Sequence, residues 1–177
     1  MIKKLKEILE KHILCEVYTN DVDVDKFAVG YIFAVDDTDC LLCNLDYYGK
    51  YDGLTCLLTD DIYEVKTETT YLKCIDKLSG FGTLNLKFEQ QKDSVFDSVL
   101  NEIYKSCRIC AIELFDSGKE NITGHLTSIN KKASIEIECI DEYGNYDGKV
   151  LIDARSISCI TYDSLDTRRI EKLIVKE

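Results

Sequence analysis

Residues Leu45–Gly53 read "LDYYGKYDG", and 95 positions later Ile140–Gly148 read "IDEYGNYDG". Asp bonds readily to its own backbone and Gly accepts left-handed conformations, so each segment reads as a hairpin turn joining two strands. A turn that recurs at a fixed offset points to a repeated structural unit.

Sliding the chain by 95 residues extends the match. Cys15 falls on Cys110, Val17 on Ile112, Ile62 on Ile157, Val65 on Ile160, Ile75 on Ile170 and Leu78 on Leu173, and Gly30 meets Gly124 after a one-residue gap. The 177 residues therefore read as a tandem duplication, with units 1–80 and 81–177 and the segment "SGFG" (Ser79–Gly82) as the boundary. The chain has no proline, so this linker is expected to be flexible rather than stiff.

Each unit follows one order. Ile2, Leu5, Ile8, Leu9 and His12 recur at helical spacing, as do Val95, Phe96, Val99, Leu100, Ile103 and Cys107, with Asp93 or Ser94 as the N-cap of the second helix. Short segments rich in β-branched and aromatic residues follow. "SIEIECI" in the second unit alternates apolar and polar positions as a half-buried strand does. "TYLKCIDKL" and "DTRRIEKL" close the two units with a second helical pattern. The predicted class is mainly β with helices (α+β): two tandem five-stranded barrels, each preceded by a helix and closed by a short one.

Composition limits the function. Net charge is −11; residues 1–80 carry 9 Lys and no Arg against 16 acidic residues, and residues 81–177 carry 13 basic against 17 acidic. Both halves repel a phosphate backbone at long range. No apolar run approaches the roughly 20 residues of a membrane span. The N-terminal "MIKKLKEILEKHIL" lacks the unbroken apolar core of a secretory signal. Most of the nine cysteines sit in apolar runs ("CLLC", "LTCLL", "IEIECI"), where reduced thiols serve as small hydrophobes. The expectation is a soluble cytoplasmic protein with reduced thiols.

The strand pattern resembles the first motif of Sm-like proteins, which runs Gly, apolar, apolar, Asp, apolar, Asn. In "GYIFAVDDTDCLL" Gly30, Ile32, Val35 and Asp36 fit, and Cys40 stands at the Asn. In "GHLTSINKKASIEI" Gly124, Leu126 and Ile129 fit, with Asn130 at the Asp and Ser134 at the Asn. "LLTDDI" (Leu57–Ile62) and "LIDARSI" (Leu151–Ile157) resemble the frame of the second motif. The resemblance implies an SH3-like barrel of Sm type. It also implies an RNA-base pocket lined by the first motif's Asn and the second motif's Arg-Gly. Thr59 and Asp60 replace that Arg-Gly in one unit, and Asp153 or Ala154 in the other, with Arg155 adjacent. A carboxylate where a phosphate would approach has the wrong sign.

Other constellations have plain readings. Cys40/Cys43 and Cys107/Cys110 have CxxC spacing, but residues i and i+3 of a strand face opposite ways, so core packing is favoured over zinc. His12 and His125 have no nucleophile or ligand neighbour at suitable spacing, and His125 reads as a surface or barrel-end residue. Asp46 with Asp52 and Asp141 with Asp147 give too few carboxylates for a calcium loop. No phosphate loop, nucleophile elbow or His-based metal set is present, so no enzyme and no cofactor is expected.

Two binding readings follow. The first is a non-enzymatic module engaging a protein partner through Tyr48, Tyr51, Tyr143 and Tyr146 and the acidic loop residues Asp36 and Asp37. Acidic runs such as "NDVDVDK" would steer a basic partner, as in an immunity-type antagonist of a basic toxin. The alternative is an RNA-binding regulator using Asn130, Lys131, Lys132 and Arg155, Lys131 and Lys132 forming with Arg168 and Arg169 the main basic concentration. Barrel edge strands would also permit homo-oligomers.

Overall fold

The computed structural model describes residues 1–19, 26–79, 88–90, 94–115, 121–130 and 134–174. Lys131, Lys132, Asp93, the acidic residues at 21–25 and the boundary expected between residues 80 and 81 lie outside the described residues. The chain divides into two compact units, Met1–Ser98 and Val99–Glu177.

The first unit contains α1 (Ile2–Glu10), β1 (Leu14–Tyr18), β2 (Ala28–Val35), β3 (Asp39–Leu45), β4 (Tyr51–Leu58), a 3-10 turn (Thr59–Asp61), β5 (Glu64–Thr67) and α2 (Thr70–Leu78). The second opens within α3 (Val95–Ser106). It continues through β6 (Ile109–Leu114), β7 (Ile122–Asn130), β8 (Ser134–Ile140), β9 (Tyr146–Asp153), a 3-10 turn (Ala154–Ser156), β10 (Ile157–Tyr162) and α4 (Leu165–Leu173). The class is α+β, mainly β, with the helices before and after each run of strands.

Within each unit the strands are antiparallel and share one order, β5-β1-β2-β3-β4 and β10-β6-β7-β8-β9. Registers recur as well. Cys15 lies opposite Gly30 as Cys110 lies opposite Gly124, and Val17 opposite Val65 as Ile112 opposite Ile160.

A closed barrel was expected in each unit, and here the structure differs. β4 does not pair with β5, nor β9 with β10, so each run of five is open. In the first unit the reason is that helices cover both faces. Leu5 and Ile8 of α1 pack with Cys15, Val17, Ile32, Cys40, Leu42 and Ile62 on one face. Leu72 and Ile75 of α2 pack with Leu14, Val29 and Leu45 on the other. Each such side chain contributes roughly 1.5–3 kcal/mol. With both faces covered, β1 is buried at every position and β3 at all but Asn44, so the two-residue alternation is lost. In the second unit β8 keeps it at its start: Ile135 and Ile137 are buried between half-buried neighbours.

Gly30 and Gly124 hold the strands close. A Cβ at Gly30 would lie 2.0 Å from the Cys43 carbonyl oxygen, and one at Gly124 would lie 2.1 Å from that of Glu138. Helix starts are capped where the residue types suggest. Thr69 accepts from the Leu72 N–H (3.1 Å), Ser94 from Asp97 (3.2 Å) and Ser164 from Thr167 (3.2 Å). Left-handed residues repeat at the same offset: His12 with Cys107, just past α1 and α3, and Glu68 with Asp163, just before α2 and α4.

Candidate functional site

The repeated turns have one internal scaffold. Asp46 Oδ1 accepts the backbone N–H of Tyr48 (2.9 Å) and of Lys50 (2.8 Å), and Asp141 Oδ1 accepts those of Tyr143 (2.9 Å) and Asn145 (2.8 Å). Gly49 and Gly144 donate to the carbonyls of Asp46 and Asp141. Their φ values are +73° and +85°, which a side chain would strain. A Cβ at Gly49 would lie 2.8 Å from the Ile75 carbonyl oxygen, and one at Gly144 2.9 Å from the Leu173 carbonyl carbon. Each turn therefore rests on the end of its unit's last helix. The Asn145 side chain, with the Asn145 and Tyr143 backbone amides, holds the Asp141 carboxyl below its ordinary range. These carboxylates are committed to the loop backbone, which accounts for them without a calcium ion.

What the scaffold presents is aromatic. Tyr47, Tyr48, Tyr143 and Tyr146 are between 54% and 70% exposed. Tyr47 stacks on Tyr48 at 4.0 Å between ring centroids, and Lys50 Nζ lies 5.9 Å from the Tyr48 ring. Pairing Tyr48 with Tyr51 by repeat logic missed Tyr47, because Glu142 occupies the matching place in the second unit. Tyr51, opposite Leu45, is only half-buried, whereas its counterpart Tyr146, opposite Ile140, is exposed.

Asp36 is committed elsewhere. Its Oδ1 accepts the N–H of Thr38 (2.9 Å) and Asp39 (2.7 Å) and the Thr38 hydroxyl, and its Oδ2 accepts the Val95 N–H (2.6 Å). Burial pushes its pKa up, but the Val95, Thr38 and Asp39 amides outweigh that and hold it below the usual value. Asp37 is exposed and 3.4 Å from Lys6 Nζ.

The RNA candidates are also engaged. Asn130 Nδ2 donates to Ser134 Oγ (3.2 Å). Arg155 is gripped by Asp153 through two side-chain bonds (3.0 and 2.7 Å), which with the Arg155 backbone N–H bring the Asp153 carboxyl down to about 2. In the second-motif frame of the first unit, Thr59 is buried and its hydroxyl donates to the Asp37 carbonyl (3.2 Å).

Cys40 and Cys43 are both fully buried, Cys40 in the α1-side core, and burial pushes each thiol up to about 12. Cys110 is likewise buried and raised to about 12, while Cys107 is exposed beyond α3. A thiol so held carries little thiolate at neutral pH. Among the described residues no three His, Cys, Asp or Glu side chains gather to hold a metal. His125 lies in mid-strand β7 opposite Ile109 and Glu138, half-buried, rather than at a barrel end. Among the described residues no helix is long and apolar enough to cross a membrane. Comparison with protein-family models, with curated proteins and with solved structures found no match.

Proposed function

We propose that this chain is a non-enzymatic binding module, built from two units of Sm-like type, that engages a protein partner through its repeated turns. The observation that carries this reading is the pair of carboxylate-pinned loops, each resting on a helix end and presenting exposed tyrosines. Tyrosines on a rigid loop bury a large contact area at small entropic cost, which suits them as interface anchors. The net charge of −11 favours a partner with a basic face, as an antagonist of a basic protein would need.

The test is affinity capture with the full chain and with a variant carrying Tyr47→Ser, Tyr48→Ser, Tyr143→Ser and Tyr146→Ser. The expected result is a captured protein that the variant loses while its melting temperature stays within a few degrees of wild type. In parallel, single-stranded RNA is titrated at about 50 and 200 mM salt. RNA binding that falls steeply with salt and survives the tyrosine substitutions would replace this reading with the RNA-regulator one.

A further inference from the structure

Among the described residues, the first unit carries an aromatic cluster that the second lacks. Tyr18 at the end of β1 contacts Phe27 (5.1 Å between centroids) and Tyr63 (6.2 Å), and Phe27 contacts Tyr71 in the first turn of α2 (5.7 Å). Tyr63 and Tyr71 stand at 62° and 89° to the rings they touch. Tyr18 is buried, while Phe27, Tyr63 and Tyr71 are each 39–41% exposed. The cluster is anchored from below. Glu16, only 4% exposed, accepts the Tyr18 hydroxyl at 2.7 Å and the Thr69 hydroxyl at 2.5 Å.

The second unit serves as an internal control. Its strand registers place Glu113, Asn121, Ser158 and Asp166 where the first unit has Tyr18, Phe27, Tyr63 and Tyr71. It places Ala111 where the first has Glu16. The same strand order forms there without a single one of these rings, so the scaffold does not require them. Three partly exposed aromatics on a buried polar anchor are an addition to the fold.

The chemistry of the surroundings selects the occupant. Lys66 Nζ already lies 4.3 Å from the Tyr18 centroid and 3.2 Å from its hydroxyl, so one ring of the cluster, Tyr18, accepts a cation within the chain itself. Residues 1–98 hold 11 Lys and no Arg against 19 acidic residues, which attracts a cationic segment and repels phosphates. Beside the cluster, β5 pairs with β1 alone among the described strands, leaving its other edge for an extended segment.

We infer that Phe27, Tyr63 and Tyr71 form a docking surface for an extended basic segment of a partner protein, whose Lys or Arg side chains lie against the rings. This rests on reading the chain as a protein-binding module, but it concerns the start of α2 at Tyr71, whereas the first repeated turn rests on the end of that helix.

The test uses the full chain and a twelve-residue peptide of alternating Arg and Thr, with an alternating Glu-Thr peptide as control, followed by calorimetry. The acidic chain attracts any basic peptide, so the deciding variant keeps charge and apolar bulk and removes only the rings: Phe27→Leu with Tyr71→Leu. The expected result is binding of the Arg-Thr peptide about tenfold weaker in this variant, from loss of two cation–π contacts. Tyr48→Ser with Tyr143→Ser should leave that affinity unchanged, and the Glu-Thr peptide should not bind. Wild-type affinity retained in the double-Leu variant, with its melting curve intact, would reduce the effect to general electrostatics and overturn the inference. A melting curve shifted by the double-Leu change is met by Tyr63→Leu alone, which must then weaken the peptide. Loss of peptide binding only in the turn variants would sink this inference while sparing the proposed function.

Discussion

At the scale of single residues, carboxylates that look alike in sequence have opposite roles. Asp36, just after β2, and Asp39, the first residue of β3, are three positions apart, yet Asp36 is held ionised by backbone amides while Asp39 is pushed up. Burial is the main cause for Asp39; the Thr38 hydroxyl (2.6 Å) offsets it in part, and the Asp36 and Asp97 charges add to it. A raised folded-state pKa means that Asp39 contributes fully to stability below its ordinary value of 3.8. That contribution is lost as pH rises through the folded value. Ionised Asp39 is therefore a cost at neutral pH, and Asp39→Asn should raise the melting temperature at pH 7. Melts repeated downward in pH should show the advantage shrinking and disappearing near pH 3; a constant advantage would point to packing instead. None of this was legible in "VDDTD", because the difference lies in which carboxylate the backbone amides surround.

At the scale of elements, the glycines separate two physical causes. Gly124 sits in β7 with negative φ, and an added methyl would lie 2.1 Å from a backbone carbonyl that cannot move without parting two strands. Gly148 in β9 has φ of +89° but nothing within 4 Å of its Cβ position. Gly148→Ala should therefore cost only left-handed strain, about 1–2 kcal/mol. Gly124→Ala should cost several times more and give little soluble folded protein, as judged by urea unfolding. Equal effects would mean that β7 and β8 shift apart freely. The match of Gly30 with Gly124 was readable from the 95-residue offset, and so was Ser94 as a cap of α3, since local residue types decide both; the Thr69 and Ser164 caps were not singled out there. The second helix face was not: which side of β1 meets α1 and which meets α2 depends on pairings 11 to 52 residues apart.

At the scale of the whole chain, burial sorts the nine cysteines. Cys15, Cys40, Cys43, Cys56 and Cys110 are buried, Cys139 and Cys159 are intermediate, and Cys74 and Cys107 are exposed. Titration of the native protein with a thiol-specific disulfide reagent should show two fast thiols, with the buried five reacting only as the protein unfolds in denaturant. A thiol with its pKa near 12, as at Cys15, Cys40, Cys43 and Cys110, holds almost no thiolate at neutral pH. A third fast thiol among the buried five would show that one unit opens in the native state. The amino-acid sequence by itself determined the two matching hairpin turns, the α+β class and the Ser94 cap of α3, because each depends on residues adjacent in the chain or matched at one offset. Only the tertiary structure decided that the runs of strands stay open, that Asp36 and Arg155 are consumed by their neighbours, and that Tyr18, Phe27, Tyr63 and Tyr71 meet. Tyr18 and Tyr71 lie 53 residues apart, and it takes the pairing of β1 with both β2 and β5, together with α2 packed on the sheet, to bring the four rings into contact.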